Sequence, residues 1–137
     1  MSPPAEASTA AEFGLRRIHQ IAVTVQDISR ATAFYRDTLG MTLLFQAPPG
    51  LAFFDCGGVR LMLSLPEGAD TPHGNSIIYY GVEDIQQAHA TLAGRGARFM
   101  EAPHLLVQLA DRDVWLAAFR DSEENLLALM SEVRRPG

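Results

Sequence analysis

Cysteine is nearly absent: Cys56 is the one thiol in 137 residues, so no internal disulfide can form and a reducing compartment is expected. Positive charge is scarce as well. Eleven basic residues face sixteen acidic ones, for a formal net charge of −5, which leaves no basic stripe for polyanionic nucleic acid or anionic lipid. No apolar run approaches the length of a membrane span, and the opening MSPPAEASTAAEFG has neither the basic start nor the apolar stretch of a secretory signal. That opening also carries too little apolar surface to offset the entropy of ordering, so a flexible tail over 1–14 ahead of a cytoplasmic domain is expected. The four histidines, His19, His73, His89 and His104, share no H-x-x-x-H or H-x-E spacing, so no local metal motif is written in the chain.

What is present is apolar and repetitive. At 47% hydrophobic and 20% charged, the chain is long enough to bury the core of a single domain, taken as 15–137. The alternating segment Ile21 to Val25 runs into Gln26-Asp27-Ile28, and Ile77 to Val82 runs into Glu83-Asp84-Ile85, so a V-x-D-I signature closes each. Either aspartate suits a helix N-cap, because a carboxylate accepts the orphan amide hydrogens of a first turn. Ile28, Ala31, Phe34 and Tyr35 then fall at helical spacing up to a stop at Gly40, and Ile85, Ala88, His89 and Leu92 do so up to Gly94 and Gly96. The echo continues in Ala47-Pro48 and Ala102-Pro103, with about ten extra residues in the second copy around His104 to Val114. Each copy closes in a hairpin, Leu51 to Leu65 around Gly57-Gly58 and Val114 to Met130 around Asp121-Ser-Glu-Glu. The result is two modules of strand, helix and three strands, at about 15–68 and 74–133.

Modules in this order, with the helix end AFYRDTLGM and the closing hairpin FRDSEENLLALM, are similar to the vicinal oxygen chelate superfamily. That superfamily includes glyoxalase I, bleomycin-resistance proteins, methylmalonyl-CoA epimerase and extradiol dioxygenases, and the resemblance covers residues 18–131. It implies an α+β fold in which two βαβββ modules form a cupped eight-stranded mixed sheet, with helices on the outer face and a ligand cleft inside. It also implies a homodimer. Metal-dependent relatives place His, Glu or Gln on the first and last strand of each module, and the matching positions here are Gln20, Met62, Ile77 and Ala128. One scaffold hosts many activities in this superfamily, so the resemblance does not choose among them.

Side chains alternate faces along a strand, so register decides what lines the cleft. Ile21, Val23 and Val25 form the heavier apolar set and belong against the helix, which sends Gln20, Ala22 and Thr24 to the cleft and His19 away from it. By the same parity Leu61 and Leu63 pack inside while Arg60, Met62 and Ser64 line the cleft. If the Gly57-Gly58 turn pairs Phe53 with Met62, Phe53 lines it too. In the second module Ile77, Tyr79, Ala128 and Met130 are expected in the cleft, and a corresponding pairing across Asp121-Ser-Glu-Glu turns Trp115, Ala117 and Phe119 there. Aromatic residues at alternating positions are as readily core as pocket, and both readings stand.

A divalent metal needs three or four converging N, O or S donors. Of the four matched positions only Gln20 offers a hard donor, so the expectation is no metal and no other cofactor, with a divalent metal as the alternative. What remains is an apolar cleft in which Gln20, Thr24, Arg60, Ser64 and His104 could fix the polar end of a small, partly hydrophobic organic molecule. His104, near Glu101 at the start of the extra segment, could serve as acid or base with Glu101 orienting it, or as a hydrogen-bonded structural residue. Sequestration of such a molecule is the leading expectation. The alternatives are a glyoxalase-like lyase, isomerase or dioxygenase, metal-dependent or using His104, and a structural module whose cleft is filled.

Overall fold

The computed structural model describes residues 13–66 and 76–136. The tail expected over 1–14 lies almost wholly outside the described residues, as does His73. Strand β1 (Gln20–Thr24) leads into helix α1 (Ile28–Ala33), and β5 (Ile78–Gly81) leads into α2 (Ile85–Gly94). Both helices start as the V-x-D-I signature dictates: the Asp27 carboxylate accepts the Arg30 amide and the Asp84 carboxylate the Gln87 amide, each at 3.0 Å. Helix α1 widens into a π-helical turn over Phe34–Thr38 before Gly40, whose φ of 76° ends it. Three strands complete the first module: β2 (Thr42–Ala47), β3 (Leu51–Cys56) and β4 (Val59–Ser64). The second module continues with β6 (Arg98–Phe99), β7 (His104–Gln108), β8 (Arg112–Arg120) and β9 (Leu126–Arg134).

The chain is α+β, and its strands form two mixed sheets, ordered β1-β4-β3-β2 and β5-β9-β8-β6, with β7 also on β8. Among the described residues each βαβββ module thus forms its own sheet, four strands in the first and five in the second. The additional strand is β7, built by the extra segment of the second module. It pairs with the first half of β8 while β6 pairs with its end, so the two lie in file along one neighbour. This gives β8 and β9 nine residues each against six in β3 and β4.

Both sheets turn their helix-covered faces into one core. Val25, Tyr35, Phe54, Leu61 and Leu63 of the first module pack in the same buried cluster as Ile85, Leu92, Phe119, Leu127 and Leu129 of the second. The opposite face of each sheet therefore stays outside, and there the large side chains Phe45 and Tyr79 remain half exposed. No helix among the described residues is long and apolar enough to cross a membrane.

The turn between β8 and β9 locks the modules together. Asp121 is fully buried and accepts the Tyr35 hydroxyl of the first module at 2.7 Å. Burial, with the Asp121 carboxylate alongside, drives the Tyr35 phenol far above its usual range, so it stays a donor. Two residues on, the Glu123 carboxylate accepts the Gln26 and Asp27 amides at 2.9 and 3.0 Å and pairs with Arg30 at 2.7 Å. Burial alone favours the neutral acid, but Arg30, those two amides and the Ser122 hydroxyl together hold the Glu123 pKa down to about 2, below its ordinary 4.5.

A depressed carboxylate contributes stability that is complete above its unfolded pKa and is lost as pH falls toward the folded one. Glu123→Gln is therefore expected to cost on the order of 1–2 kcal/mol at pH 7, part of the pairing being screened because Arg30 is exposed. The gap from wild type should close between pH 4.5 and about 2, as measured by urea denaturation across that window. Tyr35→Phe, which removes one buried donor from Asp121, is expected to lower stability by about 1–3 kcal/mol, with a reduced urea midpoint and an unchanged slope.

Candidate functional site

The open face of the first sheet assembles from residues directly opposite one another. Gly57 and Gly58, at φ 63° and 89°, make a two-residue turn that pairs Cys56 with Val59 and hence Phe53 with Met62. Strand β1 runs parallel to β4 with Gln20 opposite Arg60, Ala22 opposite Met62 and Thr24 opposite Ser64. Gln20, Thr24, Phe53, Arg60, Met62 and Ser64 thus share one face, away from the core residues Ile21, Val23, Leu61 and Leu63. The Arg60 Nε donates to Gln20 Oε1 at 2.7 Å, and its guanidinium carbon stands 5.5 Å from the centre of the Phe53 ring, a cation–π arrangement. Gln20 turns its amide nitrogen to the Met62 sulfur at 3.8 Å. No carboxylate among the described residues forms an ion pair with Arg60; Asp55 stands opposite it on β3, with its carboxylate accepting the Gly58 amide at 3.3 Å.

Phe45 belongs to this group and escapes an alternation reading. A bulge in β2 between Leu43 and Phe45 places Leu43 opposite Phe54 on the core side and Phe45 opposite Phe53 on the open side. The two rings stack with centroids 4.5 Å apart and planes at 22°.

The second sheet corrects the expected register of β8. Its turn holds three residues, Ser122 to Glu124, with Arg120 opposite Leu126 and Ala118 opposite Ala128. Glu124 adopts φ 70°, the left-handed position that closes a three-residue hairpin loop. One residue more than the glycine turn of the first module exchanges the two faces of β8 relative to β9. Trp115 and Phe119, expected in the cleft, therefore face the core: Phe119 is 1% exposed and packs on Phe99, with centroids 4.8 Å apart, and Trp115 stands opposite Ser131 against the same cluster. Ala117 turns with them. Their places on the open face go to Leu116 and Ala118, whose neighbours are Met130 and Ala128. Tyr79 lies opposite Ala128, and both it and Ile77 are exposed. Ala128 is on the open side as expected, but its neighbours bury it to 2%, so it forms floor rather than a contact point.

His104 also comes to this face, opposite Leu116, in a row that continues through Met130 to Gly81. Its Nδ1 lies 3.2 Å from a Glu101 carboxylate oxygen and 3.4 Å from the Ala102 carbonyl. A proton on Nδ1 satisfies both acceptors and leaves Nε2 as the free lone pair. The other described histidines stand apart. His19 is exposed beside Arg17, and His89 on α2 packs edge-on against Phe99.

The four positions that hold metal in metal-dependent relatives do not fit a divalent cation here. An amide oxygen already bound by Arg60, a thioether and the hydrocarbon side chains of Ile77 and Ala128 are not a set of convergent hard donors. Among the described residues no three His, Cys, Asp or Glu side chains gather into a possible metal site.

Comparison with known proteins places this architecture. Over 129 residues the chain is 25% identical to the uncharacterized protein YraH of Bacillus subtilis, covering 82% of this chain and 96% of that one. Over 76 residues it is 29% identical to the mitochondrial methylmalonyl-CoA epimerase of Homo sapiens, covering 52% of this chain and 43% of the epimerase. A crystal structure from Sphaerobacter thermophilus superposes with a TM-score of 0.72 at 24% identity, over 86% of this chain and 98% of that one. The family model for the glyoxalase/bleomycin resistance protein/dioxygenase superfamily matches residues 17–129. With paired βαβββ modules and most of its length matched, this chain belongs to that superfamily.

Proposed function

We propose that the open sheet faces bind a small, partly hydrophobic organic molecule carrying an anionic end, without the divalent metal used by many members of the superfamily. The observation that carries this reading is Arg60, fixed by Gln20 and Phe53 beside the stacked Phe45 ring and in no ion pair with a described carboxylate, Asp55 opposite it being turned to the Gly58 amide. A guanidinium held this way presents its remaining N–H donors to a carboxylate or phosphate, and a flat apolar body rests on the phenyl rings. Thr24 and Ser64 supply hydroxyls two rows along from Arg60, past the Ala22–Met62 pair. Since the two helix-covered faces share a core, one chain directs its open faces apart. A cup is completed when the first sheet of one copy faces the second sheet of another, which brings His104, Tyr79 and Met130 opposite Arg60 and makes the working unit a homodimer. The half-exposed apolar side chains on both faces are what such closure covers.

The test uses 1-naphthoate and its neutral analogue 1-naphthamide as probes. Wild type is expected to prefer the carboxylate by about tenfold or more, as a charge-assisted hydrogen bond requires. Arg60→Met should erase the preference, and Phe53→Ala should weaken both probes. Equal binding by wild type, or a preference that survives Arg60→Met, overturns the anion reading. Light scattering is expected to give twice the chain mass, and Mn²⁺, Ni²⁺ or Zn²⁺ should leave the melting temperature unchanged, because a ligand of the native state must raise it.

A second reading has its own observation. The Glu101–His104 contact at 3.2 Å suits proton transfer at a carbon acid, the lyase or isomerase chemistry that the matched epimerase's name represents, with Glu101 orienting the imidazole as positioning residue. Deuterium uptake from D₂O into methylmalonyl-CoA, abolished in His104→Gln, is the result that favours this reading over sequestration. Absence of uptake removes His104 from catalysis on that substrate.

A further inference from the structure

The open face of the first sheet is ordered along its strands into three rows of different chemistry. Gln20 and Arg60 stand in the first, the apolar Ala22, Met62 and Phe53 in the second, and the hydroxyl-bearing Thr24 and Ser64 in the third. A strand rises about 3.3 Å per residue, so successive rows on one face lie roughly 6.6 Å apart, and the first and third roughly 13 Å. Arg60 leans along the face toward the middle row, its guanidinium carbon 5.5 Å from the centre of the Phe53 ring. The gap from cation to hydroxyls is therefore between one row spacing and two, about 7–13 Å, and what floors it is apolar.

The third row has the make-up of an anchor. The Thr24 carbonyl accepts the Asn125 side-chain amide at 3.1 Å and the Ser64 carbonyl accepts the Val25 amide at 2.9 Å, so both backbones are pinned. Both residues are partly exposed, and neither hydroxyl has a hydrogen-bond partner among the described residues. Their strands run about 4.8 Å apart, so one ligand oxygen can reach both. The next residue in the row is Leu51. An ionised group finds no counter-charge there, whereas a hydroxyl both gives and takes a hydrogen bond. We infer that the site takes a two-ended ligand, with an anionic group at Arg60, a flat apolar body across Phe53 and Met62, and an uncharged hydroxyl at the far end between Thr24 and Ser64. The near end rests on the anion reading of Arg60 proposed above; the far anchor and the spacing go beyond it.

Three naphthoates test the spacing: 2-naphthoate, 6-hydroxy-2-naphthoate with its hydroxyl at the far end of the ring system, and 4-hydroxy-2-naphthoate with its hydroxyl on the ring that bears the carboxylate. The 6-hydroxy probe is expected to bind about fivefold tighter than 2-naphthoate, the worth of one hydrogen bond, and the 4-hydroxy probe no tighter. In Thr24→Val combined with Ser64→Ala, the ratio of the first two affinities should fall from about five to about one. Methyl-labelled methionine NMR places the probes. Met62 stands in the middle row, whereas Met41 packs against the core, so saturating probe is expected to move the Met62 methyl and leave that of Met41 in place. The far anchor is overturned by a ratio of one in wild type, by an equal gain from the 4-hydroxy probe, by a ratio that survives in a double variant that still melts cooperatively, or by an unmoved Met62 methyl. Failure of the anion reading shows differently: 2-naphthoate then binds no tighter than 2-naphthamide, which overturns the near end whatever the hydroxyl contributes.

Discussion

A single buried carboxylate organises much of this protein. No cation among the described residues pairs with the Asp121 carboxylate, Arg98 reaching only its backbone carbonyl, and its charge is met by four donors: the amides of Glu123 and Asn125, the Asn125 side chain and the Tyr35 hydroxyl. A buried charge is tolerable only when its lone pairs are answered in this way. The first two donors fold the turn, the third fixes Asn125, and the fourth reaches into the other module. Asn125 then passes the constraint on, donating to the Thr24 carbonyl at the end of β1. The strand that presents Gln20 beside Arg60 is thus held by a turn about a hundred residues away in sequence.

Whatever depended on neighbours in sequence was legible in advance. The aspartate caps and the glycine stops follow from rules that act over four residues or fewer, the repeat showed as self-similarity between the two halves, and the first module's faces followed because a Gly-Gly turn declares its own length. The failures share one cause. A period-two pattern carries no mark of a single extra residue, and here such residues occur twice, at the Glu124 turn and at the bulge before Phe45. The first sent Trp115 and Phe119 to the core. The second brought Phe45 to the open side, where no alternation predicted it. The extra segment was legible as an addition, but its pairing as β7 depends on β8, which follows it, and is settled by tertiary contact alone.

The two open faces differ in chemistry as well as in origin. The first sheet contributes a fixed cation, an amide and stacked phenyl rings, all held by cross-strand neighbours in register. The second contributes an imidazole with its carboxylate, a phenol and flexible Met130 on longer strands, with β7 as the outermost support. Under the function proposed, rigid recognition and adjustable chemistry thus reside on separate modules. One side can vary while the other keeps its geometry, which suits a scaffold that serves many activities.

The three-residue turn has a consequence for how this sequence can change over evolutionary time. Its composition is loosely constrained at Ser122, whose hydroxyl serves only its neighbour Glu123. Its length is not. Deleting one residue would exchange the wet and dry sides of a nine-residue strand, carrying Leu116 and Ala118 inward and Phe119 out to solvent, while withdrawing Glu123 from the start of α1. Substitution at Ser122 alters one local contact, whereas a change in length has no neutral intermediate, so the spacing from Arg120 to Leu126 constrains this protein as firmly as the Asp121 carboxylate within it.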